Sequence, residues 1–117
     1  MEKVKNERPG VSYVEDSNTV DVVTSGDTVL IESTMINGRR GNFTVTIPTT
    51  SETIVVFPRV SNDGTNWAEM DNGSGTSQIA NTTKVYPFTG DYKYIKLDAT
   101  ASTKSDDVVA TMFTVNI

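Results

Sequence analysis

The segment Glu52-Thr53-Ile54-Val55-Val56-Phe57-Pro58-Arg59-Val60-Ser61-Asn62-Asp63-Gly64-Thr65-Asn66-Trp67 decides the fold class. Its first half is the most hydrophobic part of the chain and is rich in β-branched residues, which favour an extended backbone. Its second half is a turn, because Asp-Gly between two β-prone runs suits the positive φ values of a hairpin. Both faces of the strand are apolar, and period-two alternation sets Val55 and Phe57 against Ile54, Val56 and Val60. With Val55 and Phe57 filling the core, Ile54, Val56 and Val60 fall on an outer face that another surface is expected to cover.

On either side the same alternation of strands and turn residues continues. Towards the C-terminus, residues 67–70 return from the turn and 77–81, 83–88, 92–99 and 108–117 read as strands. Towards the N-terminus, residues 43–47 place Phe43, Val45 and Ile47 on one face and Thr44 and Thr46 on the other. Two glycines in Asn37-Gly38-Arg39-Arg40-Gly41-Asn42 make a loop tip, so 28–36 and 43–47 read as a hairpin. Residues 11–14 and 19–23 read as two short strands separated by the polar turn Glu15-Asp16-Ser17-Asn18. Helical periodicity is nearly absent. About eight to ten short strands at intervals of roughly 8 to 12 residues define an all-β fold, a single antiparallel β-sandwich of jelly-roll or Ig-like type.

Domain organisation follows from length. The chain of 117 residues has room for one domain. Residues 1–10 carry mixed charge without the continuous apolar run of a secretory signal and read as an N-terminal arm, flexible or docked on a partner, with 11–117 as the sandwich. The longest purely aliphatic and aromatic run, Ile54 to Phe57, is far shorter than the roughly 20 residues of a membrane helix, so no membrane partner is expected.

Charge and composition exclude much of the remaining function space. Ten Lys and Arg against 15 Asp and Glu give a net charge of −5, which argues against nucleic acid as a partner. The chain has neither Cys nor His. Thiol nucleophiles, imidazole acid/base catalysis, disulfides, zinc sites and haem ligation through those residues are therefore absent. No motif places a Ser-Lys pair in context, and 117 residues of short strands leave little wall for the deep cleft that paired carboxylates need, so no catalytic residue and no cofactor is assigned. Asp71-Asn72-Gly73-Ser74-Gly75 and Asp106-Asp107 supply oxygen ligands but lack the alternating acidic positions of a calcium loop, and no metal ligand is assigned.

The residues that remain suit contact with a partner. Trp67, the only Trp, either packs on the hairpin or presents a stacking surface. Tyr92 and Tyr94 point outward beside Lys96 if Ile95 and Leu97 face the core. Arg39 and Arg40 form the one dense basic spot, suited to an acidic partner surface. With Ile54, Val56 and Val60, these are the candidate partner-binding residues.

The stretch Val60-Ser61-Asn62-Asp63-Gly64-Thr65-Asn66-Trp67, with Tyr86-Pro87-Phe88-Thr89-Gly90-Asp91-Tyr92-Lys93-Tyr94-Ile95-Lys96-Leu97, resembles small β-sandwich proteins of tailed-phage virions: head-decoration, head-fibre and tail-associated modules. The same pattern is similar to discoidin-type, galactose-binding-like jelly rolls, although the chain is short and has Lys96 where that pattern often carries Arg. The first resemblance implies a non-enzymatic virion protein, made in the host cytoplasm, that decorates or reinforces a capsid or tail and forms a homo-oligomer or packs on a capsid or tail protein. The second implies a carbohydrate-binding adhesion module with a glycan as partner.

Overall fold

The computed structural model describes residues 3–8, 11–35, 40–70, 75–89 and 92–115. Two antiparallel sheets pack face to face as a β-sandwich, and no helix occurs among the described residues. The first sheet runs in the order β1 (Lys3–Arg8), β2 (Val11–Val22), β10 (Ser105–Val115), β4 (Arg40–Ile47) and β8 (Thr82–Phe88). The second runs β3 (Thr28–Met35), β9 (Tyr94–Thr100), β5 (Ile54–Ser61) and β6 (Ala68–Glu69), with β7 (Thr76–Gln78) also paired to β5.

The core lies between the sheets. From the first sheet, Phe43, Val45, Ile47, Phe88, Ala110 and Met112 point inward and are buried. From the second, Leu30, Ile54, Val56, Ile95, Leu97 and Ala99 meet them. The rings of Phe43 and Phe88 sit 5.2 Å apart at a 47° tilt, one of the favoured arrangements for an aromatic pair. Leu30 and Ile31 are consecutive yet both buried, because the register shift between Val29 and Ile31 turns two neighbouring side chains to the same side.

Phe43, Val45 and Ile47 share the buried face as their alternation requires, with Thr44 and Thr46 opposite. The turn after Ser61 joins β5 to β6 as a hairpin, with Arg59 opposite Glu69 and Val60 opposite Ala68.

Four expectations from the sequence are corrected. First, Ile54, Val56 and Val60 face the core, at 0%, 0% and 6% exposure, while Val55 and Phe57 are half-buried on the outer side. The outer side is apolar because the segment entering β7 lies over it: a Cβ on Gly75 would fall 2.5 Å from the Phe57 ring. Second, residues 28–36 and 43–47 form no hairpin. Strand β3 pairs with β9 in the second sheet and β4 pairs with β10 and β8 in the first, so the chain crosses between sheets. A Gly-rich segment serves a crossover as well as a tight turn. Third, Glu15-Asp16-Ser17-Asn18 is not a turn but the middle of one twelve-residue strand, held opposite Phe113, Met112, Thr111 and Ala110 of β10. Pairing along β10 satisfies the backbone through this polar stretch, and Asn18 Nδ2 donates to the Leu30 carbonyl at 2.9 Å. Fourth, Lys3–Arg8, within the expected arm, is a strand paired to β2.

Pro58 sits in the middle of β5 without breaking the sheet. Residues 54–56 pair with β7 and residues 59–60 with β6, so Pro58 falls in the gap between the two ladders. In a strand, the N and C=O of one residue point to the same edge, and the Pro58 carbonyl accepts the Met70 N–H at 3.1 Å on that side. The missing N–H therefore faces the gap rather than β9.

Candidate functional site

The outward face of the second sheet carries a constellation built by cross-strand register. In one row Glu69, Arg59 and Lys96 stand side by side on β6, β5 and β9. In the next, Asp98 lies between Phe57 and Val29. On the other side of the charged row, Ser61 is opposite Tyr94, and Trp67 enters from the residue before β6.

Arg59 is the hub. Its Nη1 donates to Asp27 Oδ2 at 2.5 Å and to Asp98 Oδ2 at 2.7 Å, and its Nη2 donates to Glu69 Oε1 at 3.2 Å. The guanidinium also lies 5.1 Å from the centroid of the Phe57 ring. Burial acts to lower its affinity for a proton, but the bonds to Asp27 and Asp98 outweigh burial and hold it above its ordinary value. Arg59 is charged at any accessible pH.

Asp98 is 1% exposed. Its Oδ2 takes Arg59 and Lys96 Nζ, the latter at 3.3 Å, whereas Oδ1 is buried with no hydrogen-bond partner. Lys96 in turn lies over Trp67, with Nζ 4.7 Å from the ring centroid. Trp67 is half-buried. Among the described residues no group of three or more acidic side chains is placed to hold a metal ion; Asp27, Glu69 and Asp98 converge on a guanidinium instead.

The hairpin loop beside this patch is a self-contained anion trap. Asp63 Oδ1 accepts the N–H groups of Asn66 and Thr65 at 2.8 Å each, and Oδ2 accepts the Asn66 side-chain amide at 2.7 Å. The Ser61 hydroxyl donates to Asp63 Oδ1 at 2.9 Å and accepts from the Asp63 and Gly64 N–H groups. These donors, the Asn66 N–H foremost, hold the Asp63 carboxyl well below the usual carboxylate range. Gly64 adopts φ +76°, the left-handed region that a side chain disfavours, and the Tyr94 ring lies 3.7 Å from where a Cβ would stand. Tyr94 therefore braces the loop from below.

The candidate residues from the sequence separate into groups. Trp67 and Tyr94 come together on this face beside Lys96. Tyr92 does not join them: it lies in the bend before β9, outside the strand alternation, and packs against the core. Arg40 is exposed at the start of β4, in the first sheet, and Arg39 lies outside the described residues, as does most of the Asp71–Gly75 loop. Ile54, Val56 and Val60 belong to the core. Arg59, Asp27, Glu69 and Asp98 were not anticipated. The signal was present: a strand that alternates Val55, Phe57, Arg59 has a cation on that face, which marks it as the outer one.

The opposite side of the molecule is different in kind. On the outward face of the first sheet one row reads Ser17, Thr111, Thr44, Val85 and the next Thr19, Val109, Thr46, Thr83. The row beyond Ser17 reads Glu15, Phe113, Asn42 and Pro87, and brings in an acidic residue on β2. No residue of the first two rows is charged, Val85 is 60% exposed, and Thr46 Oγ1 and Thr83 Oγ1 are 3.0 Å apart. At one end of this sheet Asp107, at φ 55°, makes the bulge between Ser105 and Val108.

Fold and surface together define an all-β sandwich with a strip of uncharged rows on one face and paired charges with aromatic rings on the other. No protein-family model and no characterised protein sequence matches the chain. Solved structures share the fold at low identity. The chain resembles a protein described under Bacillus endospore appendages that form a family of disulfide-linked pili, at TM-score 0.56 and 7% identity over 88% of this chain and 85% of that one. PirA matches at TM-score 0.56 and 10% identity, covering 83% and 92%. The SPBc2 prophage-derived protein YomS matches at TM-score 0.52 and 13% identity, covering 87% and 95%. At these identities the likeness is one of fold.

Proposed function

We propose that the chain is a non-enzymatic structural or accessory module that packs onto the surface of an assembled protein particle, a phage capsid or tail, through the outward face of its first sheet. The observation that carries this reading is an uncharged strip across that face: in a chain where 21% of residues are charged, two adjacent complete cross-strand rows carry none, with Glu15 and Arg40 in the rows beyond them. Depletion of charge at the centre of a patch is the compositional mark of a protein interface. Val85 and Val109 supply apolar area, and the threonines supply hydroxyls that pair across an interface at little desolvation cost. The lack of His and Cys and the resemblance of the Asp63-Gly64 to Trp67 stretch to virion modules support the same reading, as do folds shared with a pilus-family structure and a prophage-derived protein.

The test is co-sedimentation of purified protein with phage heads and tails that lack it. The wild-type chain is expected to pellet with one of them, and Val85→Lys or Thr111→Glu, which put a charge into the exposed rows without touching the core, should abolish pelleting. Pelleting that survives both substitutions, or none with either particle, overturns the proposal.

A further inference from the structure

We propose that the network of Ser61, Asp63 and Asn66 is a chemical lock on the Asp63-Gly64 linkage: it stops the Asp63 side chain from cyclising onto the Gly64 nitrogen, and so keeps the β5–β6 hairpin from drifting to an isoaspartyl form as the protein ages. The inference does not depend on the docking face, which lies on the other side of the sandwich.

Asp63-Gly64 is the only Asp-Gly step of the chain. In an unfolded chain such a step is the most vulnerable an aspartate can occupy, because glycine has no Cβ to shield its nitrogen and leaves the backbone free to rotate into the ring geometry. The reaction needs no partner but water. The Gly64 nitrogen attacks Asp63 Cγ, an N–Cγ bond forms, and the carboxyl hydroxyl leaves with the amide proton as one water. Water then adds back to the five-membered imide. Attack at the Asp63 α-carbonyl carbon leaves the chain running through Cγ, with one extra backbone atom in the turn and the carboxylate now on Cα. In this hairpin that atom would displace Asn66 and Trp67, and with them the register that sets Arg59 opposite Glu69.

The loop opposes each part of that step. The nucleophile is occupied, since the Gly64 N–H donates to Ser61 Oγ at 2.9 Å. The electrophile is held away from it: Asp63 Oδ1 accepts the Thr65 and Asn66 N–H groups at 2.8 Å each and the Ser61 hydroxyl at 2.9 Å, and Oδ2 accepts Asn66 Nδ2 at 2.7 Å. All four donors favour the ionised carboxylate, which has no hydroxyl to lose as water. The backbone is pinned as well, with Gly64 at φ +76° over the Tyr94 ring. Ring closure requires the carboxyl to swing from the N–H groups of residues 65 and 66 towards the nitrogen of residue 64. A near-attack conformer is therefore reached only by breaking bonds on both reacting groups at once. One hydroxyl restrains both: Ser61 Oγ gives its proton to Asp63 and takes that of Gly64, from a buried position on β5 opposite Tyr94.

The experiment ages the full chain at mildly acidic pH below its unfolding temperature, folded and in parallel unfolded in guanidinium chloride. Isoaspartate at residue 63 is counted by peptide mass spectrometry with fragmentation that separates the two linkages. Asn37-Gly38 and Asn72-Gly73 cyclise by the same attack with ammonia leaving, and in the unfolded sample they show that the conditions drive the reaction. Residue 63 should isomerise in the unfolded chain and roughly tenfold or more slowly in the folded one, the factor that a single charge-assisted hydrogen bond supplies. Ser61→Ala frees the Gly64 N–H and removes a donor to Asp63, and should raise the folded rate severalfold. Asn66→Ala, at an exposed position outside the strands, should raise it as well and guards against misfolding of the first variant. Equal rates in the folded and unfolded wild-type chain, or two folded variants that isomerise as slowly as the wild type, overturn the proposal.

Discussion

A few buried polar atoms determine how stability depends on pH. Tyr86, 8% exposed, donates from its hydroxyl to Gln78 Oε1 at 2.7 Å, and the fully buried Gln78 donates from Nε2 to the Val45 carbonyl at 2.7 Å. Burial pushes the Tyr86 phenol up to about 12. The folded value thus lies above the unfolded one, so the contribution is complete below about pH 10 and is lost as pH rises from there towards 12. Chemical unfolding between pH 9 and 12 should show that loss, and Tyr86→Phe should remove this alkaline step while costing about 1–3 kcal/mol at neutral pH, because Gln78 Oε1 is left unpaired. Asp63 has the opposite sign. Its carboxyl is held low, so its contribution is present above the ordinary carboxylate range and is lost only as pH falls below that range. Carbon-detected titration should find Asp63 still ionised below the ordinary carboxylate range, and Asp63→Ala should loosen the loop at neutral pH. The Asp63 turn was legible because Asp-Gly is a local signal. The Gln78 to Tyr86 link was not, since a polar residue in a weak strand says nothing of what lies across the core.

At the scale of the element, strand β5 is the clearest case of what a sequence leaves open. Its boundaries were readable from hydrophobicity, but with apolar residues on both sides the choice of face turned on Arg59 and on the Gly75 segment that lies over Phe57. The structure makes a sharp contrast between neighbours. Ile54→Ala should cost about 2–5 kcal/mol, the range for truncating a fully buried aliphatic side chain, whereas Val55→Ala, half-exposed in the same strand, should cost about 1 kcal/mol or less. Urea denaturation of the two variants measures the difference, and equal losses would return Ile54 to the outer face. Arg59→Ala tests the other side of the same strand. It leaves the Asp98 carboxylate, 2% exposed, without its main partner, and should destabilise by about 3–5 kcal/mol. Strand existence was legible nearly throughout because β-branched content and turn residues act locally. Strand partnership was not: β2 reads as two strands until β10 is known to run beside its polar middle, and Gly38 and Gly41 read as a hairpin tip although β3 and β4 belong to different sheets.

For the whole molecule, the sandwich separates two surfaces that differ in chemistry and share no side chain. The uncharged rows belong to β2, β10, β4 and β8; the charged and aromatic patch belongs to β5, β6 and β9, with Asp27 just before β3. Between them lies a fully packed core, so a surface substitution on one sheet has no side-chain partner in common with the other. Energetic effects of such distant sites add within a few tenths of a kcal/mol. Salt should likewise act on the two faces unequally. Screening weakens interactions between exposed charges and leaves apolar burial nearly untouched. Attachment through the uncharged rows should therefore change little in its dissociation rate between low and moderate salt, with any slowing confined to association steered by Arg40. The decisive pattern is a crossed one. Val85→Lys should abolish particle binding and leave the free energy of unfolding nearly unchanged, and Arg59→Ala should lower that free energy while the folded protein still binds the particle. Measuring binding and stability on both variants separates the two faces, because loss of both in either variant would mean that the faces are coupled through the fold, contrary to a sandwich that holds them apart.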